Sequence, residues 1–172
     1  MLKLLGSGLV IFGCGMLGLS LAQGYRLRPL HLRNLQSALK MLETEIEYAA
    51  TPLPEALAKI AGLADAPATT FFSQAAAALR EEPGRPVLET WQQALKFLAA
   101  EGSLTAADLN ILKSLGQTLG ASDREDQLKN IELARLQLQE QEKQAEEEEK
   151  RQGRMWRTLG FLLGAALVLV FY

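Results

Sequence analysis

Two apolar stretches lie at the ends of the chain, and every charged side chain except Lys3 lies between them. Residues 4–22 contain no charge and would measure about 28 Å as a helix, close to the roughly 30 Å of a bilayer core. A second apolar run covers residues 159–172, and it reaches about 25 Å if it begins at Trp156, an aromatic residue typical of membrane interfaces. The pattern predicts a transmembrane helix at each end of the chain, in residues 1–24 and 156–172.

Basic residues mark the inner flank of both apolar stretches. They are Arg26, Arg28 and Arg33 after the first stretch, and Lys150, Arg151, Arg154 and Arg157 before the second. Because positively charged flanks tend to stay in the cytoplasm, we expect a two-pass cell-membrane protein whose central domain is cytoplasmic. A signal peptide cleaved near residue 22, with export of the remaining chain, is the alternative.

Small residues recur every four positions within both predicted spans. Residues of this kind let helix backbones approach closely in lipid, and a GxxxG pattern is the best-known form. The predicted transmembrane packing residues are Cys14, Gly18, Ala22, Gly160 and Gly164.

The composition leaves little scope for catalysis. With one cysteine and one histidine, the chain cannot build a Cys/His metal cluster or an internal disulfide, and we interpret His31 as an ordinary residue near the membrane. Gly13, Gly15 and Gly18 match a dinucleotide fingerprint by letter, but they lie within an apolar run, and no Walker A sequence is present. We predict no enzymatic activity, no cofactor, no metal and no small-molecule substrate.

The net charge of −2 comes from acidic and basic residues that are interspersed along the chain. Proteins that bind nucleic acid carry a basic patch, and this chain concentrates basic residues only beside the predicted spans. Anionic lipid headgroups explain that placement. We therefore expect a membrane, and no nucleic acid, as a partner.

The segment between the spans is rich in Leu, Ala, Gln and Glu and has helical rather than strand periodicity. We predict an all-α fold, in which an antiparallel bundle of about six helices in residues 25–138 lies between the two transmembrane helices. For Trp91, a place in the core is favoured over a ligand platform. The predicted core comprises Leu35, Leu39, Leu42, Ile46, Ala49, Phe71, Phe72, Ala75, Leu79, Leu88, Trp91, Leu95, Leu98, Leu109, Leu112, Leu115, Leu119, Leu128, Ile131, Ala134 and Leu138.

Polar residues of the kind that cap helices predict where individual helices begin. One helix is predicted to begin at Thr51, with Pro52 at its first helical position, and the next at Thr69 or Thr70. Capping boxes predict two further starts, one at Thr105 and Asp108 and one at Ser122 and Glu125. Gly120 is expected to end the helix that precedes Ser122.

The last helix has no proline before the end of the chain, so it is predicted to run from residue 123 toward the membrane. Its apolar face nearly vanishes after Leu138, and residues 139–155 predict a charged helical stalk, with Gly153 as a hinge. A partly disordered stalk is the alternative.

Two segments resemble the stage III sporulation protein AB family of endospore-forming bacteria. They are LETEIEYAATPLPEAL at residues 42–57 and LGQTLGASDREDQLKNI at residues 115–131. The acidic stalk and the short second span also match in position, so the resemblance covers essentially the whole chain. The resemblance implies a component of the channel that joins the mother cell to the forespore, on the mother-cell side of the forespore outer membrane.

The family's soluble domain is similar to the cytoplasmic domain of inner-membrane platform proteins in type II secretion and type IV pilus systems. The implied partners are therefore a cytoplasmic secretion-type ATPase and other membrane components of the channel, and a homo-oligomer is compatible with this role. Candidate partner-binding residues in the matching segments are Glu45, Thr51, Pro52, Gly120, Asp123 and Gln127. A membrane-tethered helical scaffold that oligomerises without a motor is the alternative.

Overall fold

The structure, a computed structural model, describes residues 26–49, 51–82 and 84–153. These residues form six helices and no strand, which confirms the all-α prediction for this part of the chain. The helices are α1, residues 26–44 with a π-helical turn at Glu45–Ala49; α2, Leu53–Leu63; α3, Ala68–Glu81; α4, Val87–Ala100; α5, Ala106–Thr118; and α6, Arg124–Glu148 with a π-helical turn at Glu149–Gly153.

Within these ranges, no helix combines the length and the apolar character that crossing a membrane requires. The predicted spans in residues 1–24 and 156–172 lie outside the described residues and stay predictions. The same holds for the packing residues proposed within them, Cys14, Gly18, Ala22, Gly160 and Gly164.

The chain divides into two compact units. Of the described residues, Leu30–Glu142 form the larger unit, and residues 26–29 with 143–153 form the smaller one. Within the smaller unit, Arg28 Nη1 lies 2.8 Å from Glu148 Oε2. The predicted domain boundaries at residues 138 and 155 stay predictions.

An aromatic cluster lies at the centre of the larger unit, where α2, α3, α4 and α5 pack on one another in chain order. The rings of Phe71 and Trp91 meet edge to face with 4.7 Å between centroids, and Phe72 approaches Trp91 at 6.0 Å. The indole N–H of buried Trp91 donates a 2.7 Å hydrogen bond to the Leu112 carbonyl. Trp91 is therefore a core residue, as predicted.

Most of the predicted core is buried, including Leu35, Leu39, Leu42, Phe71, Phe72, Ala75, Trp91, Leu95, Leu98, Leu112, Leu115, Leu119, Ile131, Ala134 and Leu138. The buried face of α1 ends earlier than predicted, since Ile46 is only half-buried and Ala49 is exposed. Both residues lie in the π-helical turn, where the wider backbone spiral rotates side chains away from their α-helical positions. Leu79, Leu88, Leu109 and Leu128 are half-buried.

Two predicted helix boundaries in the first half of the bundle are wrong by one to three residues. The sequence predicts that α2 ends near Ala61 and that a linker covers residues 62–67, but α2 continues through Leu63. Helix α3 begins at Ala68, with Pro67 before it. The hydroxyl of Thr69 donates to the Ala64 carbonyl, so it ties α3 to the end of α2 instead of capping a helix. The capping box of Thr105 and Asp108 at the start of α5 is confirmed.

Helices α1 and α6 run antiparallel within the larger unit, as polar contacts between them show. Arg33 Nη2 lies 2.6 Å from Glu142 Oε1, and Gln36 donates to the other oxygen of Glu142 at 2.7 Å. Further along α1, Glu43 accepts a 2.9 Å hydrogen bond from Arg135. As the residue number rises on α1 it falls on α6, which places the end of α1 beside the start of α6.

Candidate functional site

The first group of candidate residues lies where α1 leads into α2. Glu45, in the π-helical turn, receives hydrogen bonds from Lys59 Nζ at 2.5 Å and from the Thr51 hydroxyl at 3.1 Å. The Glu45 side chain is only 12% exposed. The structure thus brings Glu45 and Thr51 together in an internal network with Lys59, a residue that the sequence analysis did not identify.

This network changes the acidity of Glu45. The hydrogen bond from Lys59 lowers the pKa of the Glu45 carboxyl, burial opposes that shift, and the hydrogen bond from Thr51 adds to it. Glu45 is therefore held as a carboxylate that links the end of α1 to α2. Such a link stabilises the shape of the turn between these helices.

Thr51 does not cap α2, contrary to the sequence prediction. The residue before the helix is Pro52, in an extended conformation with ψ of 139°, and it makes no side-chain capping bond. Thr51 instead donates to Glu45, because the chain turn brings that carboxylate within reach of its hydroxyl. Pro52 itself is exposed and available at the surface.

An exposed aromatic side chain lies in the same turn. Tyr48 is 77% exposed, the highest value among the exposed large apolar side chains of the described residues. A hydrogen bond with the carboxylate of Glu47 raises the pKa of the Tyr48 hydroxyl. The helical pattern of α1 gave no reason to single out Tyr48, since its exposure depends on the π-helical turn.

The second group of candidates lies in the turn between α5 and α6. Gly120 has φ of +77°, a conformation that other L-residues rarely adopt, and it follows the last residues of α5 as predicted. A Cβ at this position would lie 2.9 Å from Val87 Cγ2. Gly120 is thus required both by the backbone conformation and by close packing against α4.

Asp123, and not Ser122, caps α6. Its Oδ1 accepts a 2.8 Å hydrogen bond from the Asp126 N–H, while the Ser122 hydroxyl donates to the Thr118 carbonyl at 2.9 Å. The predicted capping box was therefore one residue too early, because α5 competes for the serine. The Gln127 side chain donates to the Ser122 carbonyl at 2.9 Å and braces the turn from the other side.

The two turns lie at one end of the larger unit. The turn after α1 and the turn before α6 belong to the same end of this antiparallel helix pair, since α1 ends there and α6 begins there. Exposed carboxylates of Asp123, Glu125 and Asp126 follow the second turn. This end of the unit therefore presents acidic side chains and, from the first turn, the Tyr48 ring.

The histidine lies away from this end. Nδ1 of His31 and the hydroxyl of Ser103 share a 2.5 Å hydrogen bond that joins α1 to the loop between α4 and α5. Burial lowers the pKa of His31, and the charge of Glu101 partly opposes the shift. The hydrogen bond of His31 joins two parts of the fold, α1 and the loop between α4 and α5.

Nothing in the described part of the chain groups three or more His, Cys, Asp or Glu side chains in a way that could hold a metal ion. What the structure does provide is two turns, each braced by side-chain hydrogen bonds. Two further exposed apolar residues, Leu133 and Leu136 on α6, were not singled out from the sequence, because the charged residues around them predict a solvated helix.

Comparisons with known proteins agree with this all-helical architecture. The sequence profile of the family "Stage III sporulation protein AB" matches residues 3–172. The chain is 37% identical to stage III sporulation protein AB of Bacillus subtilis (strain 168) over 171 residues, which are 99% of each chain. A solved structure of a stage III sporulation protein AB matches with a TM-score of 0.66 and 36% identity, over 72% of this chain and 96% of that one. The chain therefore belongs to the stage III sporulation protein AB family and has a role in sporulation.

Proposed function

We propose that this protein is an inner-membrane platform of the channel between the mother cell and the forespore, and that it docks a cytoplasmic secretion-type ATPase. The observation that carries the proposal is the position of the two turns between α1 and α2 and between α5 and α6. The first turn follows the end of α1 and the second precedes the start of α6, which is antiparallel to α1 within the larger unit, and in the sequence the predicted span in residues 156–172 comes after α6. Such a layout suits a body that is anchored on one side and binds a partner on the other.

The turn surface has the features of a protein-binding patch. Tyr48 is a large, exposed aromatic side chain, and tyrosine is enriched among the residues that dominate binding energy at interfaces. Arg124 offsets one of the exposed carboxylates of Asp123 and Asp126, and Lys129 is ion-paired with Glu125, which leaves a small excess of negative charge that favours a partner with a basic surface. Glu45, Thr51, Gly120 and Gln127 act beneath this surface by holding the two turns in shape.

The test is co-purification of the ATPase with the tagged full chain after cross-linking in membranes from sporulating cells. We expect Tyr48→Ala and Asp123→Asn to lower the recovery of the ATPase severalfold. Asparagine at position 123 keeps an oxygen that caps α6 but removes the charge, whereas Asp123→Ala also removes the cap. Glu81→Gln, an exposed change at the end of α3, is the matched control.

Two outcomes would contradict the proposal. One is recovery of only this protein and lipids while the ATPase is demonstrably expressed. The other is wild-type recovery of the ATPase by both surface variants. If Asp123→Ala alone lowers recovery and also lowers the melting temperature, the aspartate acts as a helix cap and not as a contact.

A second candidate function is a membrane-tethered scaffold that oligomerises without a motor. The leucines of α6, Leu133 and Leu136, favour it, because they are 52% and 57% exposed. In the same co-purification, this function predicts recovery of further copies of the chain without the ATPase.

A further inference from the structure

Three exposed apolar side chains lie near the ends of helices in the larger unit. Leu30 is the first residue of that unit and is 48% exposed. Leu63 is the last residue of α2 and is 65% exposed, and Phe97 lies in the last turn of α4 and is 47% exposed. Single apolar residues on a surface are normal, so what matters is whether these three share one end of the unit.

Hydrogen bonds tie two loops to the first turns of α1. The Asn34 amide donates to the Ala66 carbonyl at 2.7 Å, which fixes the loop after α2 beside α1. The hydrogen bond between His31 and Ser103 fixes the loop after α4 beside the same part of α1. Both loops therefore lie at the end of the larger unit where α1 begins.

The three apolar side chains share that end. Leu63 directly precedes the first of the two loops. Phe97 lies one helical turn before Glu101, whose charge is close enough to His31 to raise the pKa of the imidazole. Leu30 is the neighbour of His31 in the sequence. We call Leu30, Leu63 and Phe97 the apolar end group.

The chain enters and leaves the larger unit at this same end. Leu30 and Glu142 are the limits of the unit. Arg33, three residues after Leu30, has its guanidinium 2.6 Å from the carboxylate of Glu142. In the sequence, the predicted span in residues 1–24 comes before Leu30 and the one in residues 156–172 comes after Glu142. Both connections to the predicted spans therefore start beside the apolar end group.

The connection to the first predicted span is short. Residues 25–29 separate that span from Leu30, a distance of about 9 Å as a helix and at most about 21 Å when fully extended. The headgroup layer on each side of a bilayer core is about 5–8 Å thick. An anchored chain therefore holds Leu30 at or near this layer, where apolar side chains are partly withdrawn from water.

The two loops beside the apolar end group carry little charge. Residues 64–67 contain one charged side chain, Asp65, and residues 101–105 contain one, Glu101. Neither loop has the cluster of lysine and arginine that recruits a protein to anionic lipid. Contact with a bilayer at this end therefore depends on apolar side chains, and leucine and phenylalanine are among those that interfacial helices insert at the level of the headgroups.

We propose that the apolar end group is a membrane-contact surface, which inserts Leu30, Leu63 and Phe97 into the headgroup layer of the bilayer that holds the predicted spans. The proposal rests on the membrane anchoring in the proposed function. Membrane-spanning helices are tilted by about 20° on average, and a comparable lean of the larger unit would bring the ends of α2 and α4 to the lipid together with the start of α1.

Contact at three side chains would fix the orientation of the larger unit. A short connection alone lets the unit turn about its anchor, whereas further points of contact with the bilayer hold it. The turn that carries Tyr48 follows the other end of α1. That turn would then point away from the lipid, where a partner in the cytoplasm can reach it.

Fluorescence quenching of the full chain in phosphatidylcholine nanodiscs tests the contact. In a Cys14→Ser background, Leu63→Cys and Phe97→Cys each carry an environment-sensitive fluorophore. We expect spin-labelled lipid to quench both labels severalfold more strongly than a label at Tyr48→Cys, and aqueous iodide to show the opposite order. Tyr48→Cys is the matched control, because Tyr48 is the more exposed side chain but lies after the other end of α1.

A label at Leu163→Cys, within the second predicted span, reports anchoring separately. Strong lipid quenching at position 163, with quenching at position 63 or 97 no greater than at position 48, would overturn the proposal and leave the anchoring intact. No lipid quenching at position 163 would overturn both. A label at position 63 or 97 that neither quencher reaches would mean that protein, such as a second copy of the chain, covers this end, and it would also overturn the proposal.

A change at one member of the apolar end group gives a second test at another. Leu63→Ser should lower the lipid quenching of a label at Phe97→Cys about twofold, because one of the three inserted side chains is lost. Leu133→Ser, at an exposed leucine of α6, is the matched control and should leave that quenching unchanged. Melting temperatures show that both variants fold. Equal quenching in the two variants would contradict the proposal.

These measurements do not require the ATPase. Lipid contact at positions 63 and 97 without recovery of the ATPase in the co-purification would contradict the docking function and leave the membrane-contact surface standing. Recovery of the ATPase without lipid contact at these positions would do the reverse.

Discussion

The indole ring of Trp91 lies directly against the backbone of Gly116, so that a Cβ on the glycine would be 2.2 Å from Trp91 Cδ1. This approach joins α4 to α5 at the aromatic centre of the bundle. It is reinforced one turn earlier on α5, where the Leu112 carbonyl accepts the indole N–H. Gly116 is thus the position where the core has no space for even one methyl group.

Gly116→Ala should destabilise the protein by about 1–3 kcal/mol, because the buried ring cannot move without disturbing Phe71 and Phe72. Chemical denaturation of the full chain measures the change. Gly62→Ala is the matched control: this glycine lies within α2, and no described atom comes within 4 Å of its Cβ position. There we expect a gain of about 0.5–1 kcal/mol, since alanine restricts the unfolded chain. Equal effects at the two sites would contradict the packing argument.

A second glycine pair separates backbone strain from packing. Gly102 and Gly120 have similar backbone angles, with φ of +72° and +77°, but only Gly120 has a close neighbour, Val87. Each alanine variant should lose about 1–2 kcal/mol from the left-handed conformation. Gly120→Ala should lose more than Gly102→Ala, and the difference in unfolding free energy reports the contact with Val87. An equal loss would show that Val87 moves aside without cost.

The ion pair of Glu43 and Arg135 should couple α1 to α6. Their side chains are 16% and 32% exposed, and Nε of Arg135 is buried without a hydrogen-bond partner among the described residues. A double-mutant cycle with Glu43→Gln and Arg135→Met should give a coupling of about 1 kcal/mol. Lys40→Met, which removes the partner of Glu43 on its own helix, should couple less strongly to Glu43→Gln. Zero coupling at Arg135 would mean that the pair does not hold the helices together.

Stability should fall in mild acid because of His31. Burial lowers the pKa of this side chain in the folded state, so the fold favours neutral imidazole and the unfolded chain binds the proton more readily. The contribution is fully present above the ordinary histidine value of about 6.5 and is lost as the pH falls through the folded-state pKa. Denaturant titrations above and below that value measure the loss. His31→Asn keeps a hydrogen-bond partner for Ser103 without titrating, so its stability should change less over the same pH interval.

The helical periodicity of the sequence predicts most of the core, because a stripe such as Leu35, Leu39 and Leu42 reports burial without knowledge of its partner. Local capping was also predictable, because both partners are close in the sequence. Thr105 and Asp108 lie three residues apart, and the side chain of each accepts a hydrogen bond from the backbone N–H of the other. The prediction failed at Thr51, whose hydroxyl bonds to Glu45 across a turn. A threonine hydroxyl that can cap a helix can also bond to another side chain, and the sequence does not show which partner is nearer.

Contacts between distant segments account for most of what the sequence did not reveal. Residues after 138 predict a solvated stalk, yet Glu142 holds Arg33 and Gln36 on α1. Glycine is needed at position 116 because Trp91 lies against it, and at position 120 Val87 lies close to it. Both neighbours belong to α4, a different helix. Within the candidate surface, the family motifs indicated the two turns, but the exposure of Tyr48 follows from a π-helical turn that has no simple sequence signal.

The polar contacts between α1 and α6 also determine where the chain can change in length during evolution. One residue inserted between Arg135 and Glu142 would turn the following side chains by about 100° and carry Glu142 away from Arg33. At Gly84, in the turn between α3 and α4, the residue is exposed, and the ion pairs of the neighbouring Arg85 are local, with Glu82 and Glu89. Relatives of this protein should therefore differ in length at that turn and keep the spacing within α1 and α6 constant.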